Sequence, residues 1–463
     1  MSTIQQTLSR VFGVSFTQLP DLTELRQYRH PNAFCCDARG ELLGIFSSEN
    51  ACTELHIPAG WQHLEYLNVS DNKGLQSLAF EAPLPRLQHL DASGCQLEVL
   101  RIPAGFRALK NLYLQKNRLK TLNLEEGSPN LQLLDASGNE LETLHLPEGF
   151  SSLAYLFLMD NALETFTFEG VLPSLTILHL RNNRLQNVPA ALVLSGALEA
   201  FYAAGNAPKN IPKLFLGDPD SYKSENCLED ARLWFAELRD YPSERNKAVK
   251  LMLTGNGNSG KSTLLCALEN GRCDHDHTTT HGIQIKTLGG TDIRFNVWDF
   301  GGQEVYHGTH RLFMEAEALQ VILFDPKTEA SARNNVQVED RSTKEPVFNH
   351  PIEYWYETAS ELSPNSQFFL VQNKKDEAGQ EDKDIRNYAD DKAKFLHLSA
   401  KTGEDVDDLM HFLRKNAKLL PDFEMLMPLS WLGVRQFFID NLQKGNPPRE
   451  NYLQRKFSAM RCA

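Results

Sequence analysis

The chain has 463 residues, which is long enough for about three domains. Of these residues 41% are hydrophobic and 23% are charged, a composition typical of globular proteins. Its formal net charge of −13 argues against a nucleic-acid coat or a membrane-surface patch, because both require clustered positive charge. No stretch reaches the roughly 18 consecutive apolar residues of a membrane span, and the amino terminus lacks the pattern of a secretion signal.

The eight cysteines are scattered, without the paired spacing of a disulfide scaffold or a zinc ribbon. Reduced, mostly buried thiols are what such spacing predicts in a cytoplasmic protein. The sequence therefore predicts a cytoplasmic location, with proteins and small molecules as partners, no nucleic acid and no membrane span.

Residues 42–206 contain about eight copies of one pattern, with a period of about 22 residues. The clearest copies are LEYLNVSDN, LKNLYLQKN, LQLLDASGN, LAYLFLMDN and LTILHLRNN. They follow the L-x-x-L-x-L-x-x-N/C pattern of leucine-rich repeats, in which the inward leucines of each short strand stack on those of neighbouring turns. We expect a leucine-rich-repeat solenoid over residues 1–215, including an N-terminal cap.

One column of the repeat is occupied by asparagine. A side-chain amide at this position can satisfy backbone groups inside each turn, which predicts a structural role and not a catalytic one. The column comprises Asn50, Asn72, Asn117, Asn139, Asn161, Asn183 and Asn206, with Cys95 between Asn72 and Asn117, where a thiol can act only weakly.

The strand residues between the inward leucines are predicted to face the concave side of the solenoid, and many are aromatic. They include Tyr66, His89, Asp91, Tyr113, Tyr155, Phe157, Ile177, His179 and Tyr202. Clustered exposed aromatic residues often mark protein contacts, so we expect a protein partner on this face. The alternative is that the face packs against the second half of the same chain.

After the repeats the composition changes, and residues 216–246 are interpreted as a linker. Within it, residues 227–241 place Leu228, Ala231, Phe235 and Leu238 on one face of a helix, with charged residues opposite. This spacing predicts an amphipathic connecting helix.

From Lys247 the pattern becomes apolar strand, glycine-rich loop and helix, with GNGNSGKS fitting G-x-x-x-x-G-K-[ST]. Such a loop surrounds phosphates with backbone N–H groups at a helix N-terminus, which favours anions. Lys261 is expected to bridge the β- and γ-phosphates and Ser262 to hold Mg²⁺. The predicted phosphate contacts are Gly255, Asn256, Gly257, Asn258, Ser259, Gly260, Lys261, Ser262 and Thr263.

A second motif, VWDFGGQE, ends another apolar run. Asp299 is placed to hold Mg²⁺ through water, and the backbone N–H of Gly302 to contact the γ-phosphate. Gln303 follows at the position where a side-chain amide can orient the attacking water. A loop of this kind should respond to the presence of the γ-phosphate.

Two further apolar runs open into NKKD and into Ser399-Ala400-Lys401. Asp376 can accept two N–H bonds from guanine, which adenine cannot offer, so this carboxylate selects GTP over ATP. Asn373 is expected to tie this loop to the phosphate loop, and Lys374 to lie along the base. The backbone of residues 399–401 is expected to contact the guanine O6.

The four motifs, in this order, resemble those of Ras-like small GTPases, and the order of domains resembles the Roco family. That family combines leucine-rich repeats with a Roc GTPase domain and a COR domain. The segments THGI, DFGGQE with YHGTHRLFM, and IEYWYETASELSPNSQFFLVQNKKD are similar to Roc sequences, and the ending LMPLSWLGVRQFFIDNLQKGNPPRENYLQRKF to the beginning of COR. The resemblance implies a Roc domain over residues 247–420 and the start of a truncated COR-like segment over 421–463. COR is associated with dimerisation, so a homodimer is implied if the full-length protein carries one.

The stretch CDHDHTTTHG, residues 273–282, has the composition of a transition-metal site but the position of the first switch loop. Thr280 resembles the switch threonine that reaches Mg²⁺ with its hydroxyl and the γ-phosphate with its backbone. Hard Mg²⁺ takes oxygen ligands, so the predicted metal set is Ser262, Thr280 and Asp299. Zinc bound by Cys273, His275 and His277 is the alternative.

The sequence as a whole predicts an α/β protein in which a leucine-rich-repeat solenoid precedes a P-loop Ras-like domain with a mostly parallel sheet. The expected function is a GTP-binding switch with slow hydrolysis, in which Gln303, Lys261 and Thr280 are catalytic and Mg²⁺ is the cofactor. The alternative is a repeat scaffold in which guanine nucleotide is structural. Candidates for a catalytic arginine are Arg311, Arg333 and Arg341, or one from a second subunit.

Overall fold

The computed structural model describes residues 3–27, 31–219, 221, 225–273, 283–301, 317–339, 346–377 and 393–433. It divides the chain into two compact units, Met1–Asp240 and Tyr241–Ala463.

The first unit is built on a ten-stranded sheet in which each strand adds to the previous one. Its strands, in spatial order, are β1 Thr17–Leu19, β2 Ala33–Cys36, β3 Leu42–Phe46, β5 Tyr66–Asn68, β7 His89–Asp91, β9 Asn111–Tyr113, β11 Leu133–Asp135, β13 Tyr155–Phe157, β15 Ile177–His179 and β16 Ala200–Tyr202. Neighbouring strands are parallel, except that β2 and β3 are antiparallel. The middle residue of each strand from β5 onward is fully buried, as expected for one inward apolar residue per turn.

Further strands lie between those of the main sheet along the chain. Four form a second parallel sheet, namely β4 Glu54–Ile57, β6 Ser77–Phe80, β8 Val99–Ile102 and β10 Thr121–Leu124. Two more, β12 Thr143–Leu146 and β14 Thr165–Phe168, form a parallel pair. The helices of this unit are α1 Thr3–Phe12, α2 Leu22–Gln27, α3 Ala190–Val193 and α4 Leu228–Asp240, with a 3₁₀ helix at Lys213–Phe215.

The asparagines of the column from Asn72 to Asn206 satisfy backbone groups between successive turns, which confirms their predicted structural role. Asn50 differs, because its amide donates to the side chains of Asn32 and Ser47, at 2.9 and 2.6 Å. The amide of Asn117 donates to the carbonyls of Ala92 at 2.8 Å and Leu114 at 2.9 Å, while its oxygen accepts from the N–H of Leu97 at 3.0 Å. The thiol of Cys95 is a weaker donor, to the carbonyls of Val69 at 3.3 Å and Ser93 at 3.6 Å. Equivalent amide bonds are made by Asn72, Asn139, Asn161, Asn183 and Asn206.

Helix α4 packs within the first unit. Its Trp234 is fully buried and donates from Nε1 to the carbonyl of Asn210 at 2.8 Å. The guanidinium of Arg232 donates to the carbonyls of Val193 and Leu198, at 2.9 and 2.7 Å. Apolar and polar contacts therefore both hold this helix in the first unit. The boundary between the two units falls at the last residue of the helix, Asp240.

The second unit is an α/β structure with a mostly parallel six-stranded sheet. In spatial order its strands are β19 Ile283–Gly289, β20 Arg294–Phe300, β18 Ala248–Thr254, β21 Leu319–Phe324, β24 Gln367–Gln372 and β25 Ala393–His397. Only β19 runs antiparallel, to β20. Smaller antiparallel pairs are β17 Ser243–Arg245 with β26 Leu426–Pro428, and β22 Gln337–Glu339 with β23 Pro346–Phe348.

Helices cover both faces of this sheet. They are α5 Lys261–Asn270, α6 Pro326–Arg333, α7 Ile352–Leu362 and α8 Val406–Ala417. Leu251 and Leu253 of β18 pack with α5 and α8, whereas Met252 points to the opposite core with α7. The strand is buried on both faces, which is why it is mostly apolar rather than alternating, with Lys250 and Thr254 as the exceptions. In the described part of the chain no helix is both long enough and apolar enough to cross a membrane.

Candidate functional site

The candidate site lies at the carboxyl edge of the six-stranded sheet, where the loops after its parallel strands meet. The loop after β18, residues 255–260, leads directly into α5. Gly255 and Gly260 have φ angles of +128° and +96°, and a Cβ on either would collide with the Leu323 carbonyl or the Asn373 amide. Glycine is therefore required at both ends of this loop.

Lys261 begins α5 and folds back into the loop. Its ammonium donates to the carbonyls of Gly255 and Asn256, at 2.9 and 2.8 Å. Burial lowers the pKa of this lysine to about 8, although the nearby carboxylate of Asp299 acts in the opposite direction. A buried ammonium held among backbone groups would gain from an anion bound in the same loop.

Ser262 and Asp299 are brought together from α5 and the end of β20. The Ser262 hydroxyl donates to the Asp299 carboxylate at 2.6 Å, and Asp299 is fully buried. A hydroxyl and a carboxylate are oxygen ligands of the kind that Mg²⁺ prefers. Among the residues with described positions, no group of three or more histidine, cysteine or acidic side chains could hold a metal ion.

Asn373 connects the loop after β24 to both of its neighbours. Its amide donates to the carbonyl of Ser259 at 3.0 Å, and its oxygen accepts from the N–H of Ala400 at 3.0 Å. Asp376 accepts a short hydrogen bond from the Ser399 hydroxyl. The phosphate loop and the predicted base-recognition loops thus form one hydrogen-bonded assembly.

Lys374 has a left-handed backbone, with φ of +66°, and its ammonium lies 3.2 Å from the buried carboxylate of Asp325. Asp325 also caps α6, accepting from the N–H groups of Lys327 and Thr328. Sequence reasoning missed Asp325, although an aspartate before proline at the start of a helix is a capping signal. The Asp325 carboxylate therefore fixes the position of the Lys374 ammonium within the site. Lys401 is exposed at the edge of the same site.

The side chain of Asn256 points away from the phosphate loop, toward the start of α7. Its amide donates to the His350 carbonyl at 2.7 Å, and its oxygen accepts from the His350 N–H at 2.9 Å and from Trp355 Nε1 at 3.2 Å. Sequence reasoning placed Asn256 among the phosphate contacts and did not find His350 or Trp355. Only the backbone of Asn256 remains available to a phosphate.

Several predicted residues lie outside the described part of the chain. They are Thr280, Gly302 and Gln303, together with Arg311, Arg341, His275 and His277. Cys273, the remaining member of the zinc alternative, is 1% exposed. Arg333 forms ion pairs with Glu329 and Glu353, at 2.6 and 2.7 Å. Gly257, Asn258 and Thr263 fall in the loop and the first turn of α5, as their motif requires.

The sequence of the second unit matches a known domain family. Residues 250–376 match the family described as "Ras of Complex, Roc, domain of DAPkinase". A "Roc-COR-CHAT protease" of Runella zeae is 36% identical over 458 residues, which cover 92% of this chain and 46% of that protein. The chain belongs to the Roco family.

The chain is also similar to a Ras-related protein and to a Roco protein of solved structure. "Ras-related protein Rab-5A" of Dictyostelium discoideum is 27% identical, over 44% of this chain and 93% of that protein. A solved structure of Methanosarcina barkeri Roco2 RocCORdC bound to GDP is 25% identical, over 43% of this chain and 58% of that one, with a TM-score of 0.35. This Roco protein spans less than half the length of the Runella zeae relative.

Proposed function

We propose that this Roco protein binds GTP and hydrolyses it slowly to GDP and phosphate, acting as a nucleotide-dependent switch. The observation that carries the proposal is the double hydrogen bond of Asn373, which joins Ser259 of the phosphate loop to Ala400 of the last loop. This link sets a phosphate-binding loop and a base-recognition loop at one edge of the sheet. A nucleotide needs both at a fixed separation.

Phosphate recognition is assigned to the backbone N–H groups of residues 255–263 and to Lys261. The hydroxyl of Ser259 supports this assignment, because it is fully buried and has no hydrogen-bond partner among the described residues. The lysine ammonium is already directed into the loop. Together these groups present donors and positive charge at the N-terminus of α5, where an anion is favoured.

Guanine recognition is assigned to Asp376, with Lys374 along the base and residues 399–401 at O6. The Ser399 hydroxyl donates to Asp376, so the carboxylate is oriented before any ligand binds. A carboxylate accepts from N1–H and the 2-amino group of guanine, and an adenine ring offers no matching pair. Selection of GTP over ATP follows from this difference.

Magnesium would be held by Ser262 and Thr280 directly and by Asp299 through water. The Ser262–Asp299 pair fits the ion because it supplies oxygen donors at the start of α5, next to the proposed phosphate site. When bound, the ion would supply positive charge to the β- and γ-phosphate oxygens. Asp299 itself, being fully buried, would fix the position of the Ser262 hydroxyl.

For hydrolysis, Lys261 would stabilise negative charge on the phosphates, and Gln303 would orient the attacking water. The loops that contain Thr280 and Gly302 would close over GTP and open over GDP. The second candidate is a scaffold that holds guanine nucleotide without hydrolysing it. Single-turnover phosphate release separates the two: equal inertness of wild type and Gln303→Leu, even at high protein concentration, would favour the scaffold.

For the first unit we propose a leucine-rich-repeat solenoid over residues 1–215 that binds a protein partner. The amide bonds between turns and the one buried residue per strand support the assignment. The outward aromatic side chains stack along the sheet, with ring centroids of Tyr66 and His89 4.7 Å apart and of His179 and Tyr202 4.8 Å apart. Tyr155, 41% exposed, is the most open aromatic side chain of this row.

We also propose that residues 216–246 form a linker, that residues 247–420 form a Roc domain and that residues 421–463 form the start of a COR domain. A COR domain in a longer protein would support a homodimer. A cytoplasmic location is supported by seven free thiols among the described residues.

The nucleotide that copurifies with the protein tests the proposal most directly. We expect GDP or GTP by chromatography of the denatured protein, and loss of nucleotide in Lys261→Ala. Molar mass measured in GDP and in a GTP analogue would test the proposed dimer. Binding of ATP with no preference for guanine would overturn the proposal.

A further inference from the structure

Two neighbouring grooves open at the amino edge of the six-stranded sheet, opposite the phosphate loop. Their volumes are about 490 and 480 Å³, and Lys247, just before β18, lines both. Strand β18 has seven residues, so the grooves lie roughly 20 Å from the phosphate loop at the far end of the strand. They are separate from the nucleotide site described above.

Most of the charged side chains that line the two grooves are basic. They are Arg245, Lys247 and Arg294 in the first groove, and Lys247, Arg414, Lys415 and Lys418 in the second. Acidic side chains in the walls are fewer: Glu244 in the first groove, and Asp292 and Glu424 in the second. The whole chain has a net charge of −13, so this local excess of positive charge runs against its overall character.

The backbone holds the basic side chains in a fixed arrangement. The N–H of Arg294 donates to the carbonyl of Lys247 at 2.9 Å, which joins β20 to the start of β18. Asn246, 3% exposed, donates from its side chain to the carbonyl of Asp422 at 2.8 Å. In α8, Leu413 is buried in the core while Arg414 next to it is exposed.

None of these six lysines and arginines forms an ion pair with any carboxylate whose position is described. Elsewhere in the same unit such pairs are common, for example Lys327 with Glu377 and Lys375 with Asp405. Residues 434–463 carry six Lys or Arg and two Asp or Glu, so the chain that follows has the same sign as the grooves. An anionic partner from outside is complementary to this surface.

Exposed leucines beside the grooves indicate what kind of anion fits. Leu426 pairs with Arg245 across the β17–β26 ladder and is 44% exposed. Leu419, next to Lys418, is 64% exposed, and Leu429 is 44% exposed. A phosphate or a nucleic-acid backbone makes no use of these side chains, whereas a peptide can combine carboxylates with apolar residues.

We propose that the two grooves bind an acidic peptide segment of a partner protein, one that contains apolar residues between its carboxylates. The carboxylates lie against the six basic side chains, and the apolar residues cover Leu426 and Leu429. The site is distinct from the proposed partner face of the repeats and does not depend on nucleotide hydrolysis.

The test uses the full chain with its copurifying nucleotide and a fluorescein-labelled peptide of glutamates interspersed with leucines. We expect fluorescence anisotropy to show binding that weakens steeply with salt, because exposed charge pairs are screened. Lys247→Glu combined with Arg294→Glu should weaken it at least about tenfold, as expected when close opposite charges are reversed. Lys73→Glu combined with Lys120→Glu is the matched control, since both lysines are exposed in the first unit, and it should leave binding unchanged.

Nucleotide content and melting temperature are measured on every variant, so loss of peptide binding is distinguished from loss of the guanine site or of the fold. If the first pair unfolds, Arg414→Ala with Lys418→Ala serves instead, because both side chains are exposed. Three results would overturn the proposal. The peptide fails to bind even at low salt, the control pair weakens it equally, or a labelled RNA binds with the same dependence on Lys247 and Arg294 while the peptide does not.

Discussion

The side-chain amide of Asn256 forms a two-sided hydrogen-bond pair with the backbone of His350, donating to its carbonyl and accepting from its N–H. The two residues are 94 positions apart in the chain. The pair therefore joins the loop that we propose to bind phosphate with its backbone to the start of α7.

We expect Asn256→Ala to weaken this unit and to release nucleotide faster. The substitution removes the two hydrogen bonds with the His350 backbone and the one from the Trp355 indole N–H, each worth about 1 kcal/mol. Urea unfolding and the rate of GDP dissociation measure the two effects. Asn123→Ala, an exposed asparagine of the first unit, should change neither. Wild-type stability in Asn256→Ala would contradict the prediction.

Guanine-nucleotide affinity should fall as the pH rises above about 8. Burial lowers the pKa of Lys261 to about 8 in the free protein, and bound phosphates would raise it, because they favour the charged form. Binding must then take up a proton between these two pKa values, so affinity decreases with pH across that window, by at most about tenfold per unit.

Calorimetry at pH 8.5 in buffers of different ionisation enthalpy measures this proton uptake. Lys250 is the matched control, because burial also lowers its pKa to about 8 although it lies in the middle of β18. Uptake should persist in Lys250→Met. Binding that takes up no proton in the wild type would refute the assignment to Lys261.

Asp376→Asn should change the preferred base from guanine to xanthine. The substitution replaces an acceptor by an amide donor, and xanthine carries a carbonyl where guanine carries its 2-amino group. Competition between GDP and XDP for the protein measures the exchange, with a loss of guanine preference of about 10⁴-fold or more expected for an unpaired polar contact. Asp405→Asn, which alters one of the two carboxylates paired with Lys375 and leaves Glu404, is the control. Retained guanine preference in Asp376→Asn would contradict the assigned role.

Cys95→Asn should stabilise the first unit. Its thiol donates only weakly, to the carbonyls of Val69 and Ser93, whereas the amide of the neighbouring Asn117 donates twice and accepts once. Completing the column adds up to two hydrogen bonds, each worth about 1 kcal/mol. Thermal unfolding compares it with Cys95→Ser, which should not be stabilised. Asn139→Ala should destabilise the same unit. Its melting temperature should fall, whereas that of Cys95→Asn should rise.

Local patterns predicted the parts of the molecule that local chemistry determines. The glycines, Lys261 and Ser262 could be placed from eight consecutive letters, since a strand, a tight turn and a helix N-terminus fix their geometry. The asparagine column could be assigned a role because each repeat presents the same backbone groups. The mostly parallel sheet followed from the same succession of strands and helices.

Contacts between distant segments could not be predicted in this way. The amide of Asn256 and the backbone of His350 meet only when β18 and α7 are packed in the same unit. Likewise, the net charge argued against a nucleic-acid coat or a membrane-surface patch, but a sum over the chain does not show that Arg245, Arg294 and Arg414 line grooves at one edge of a sheet. Such convergence depends on topology, which a composition does not contain.

The antiparallel pair β19–β20 has a mechanical consequence. Its seven cross-strand pairs end at Ile283 with Phe300, and this last pair lies three residues after Thr280 and two residues before Gly302. The two proposed nucleotide-sensing segments are therefore tethered to the same rung of one ladder. Because the register of the two strands is fixed, a displacement at the end of one strand is transmitted to the end of the other.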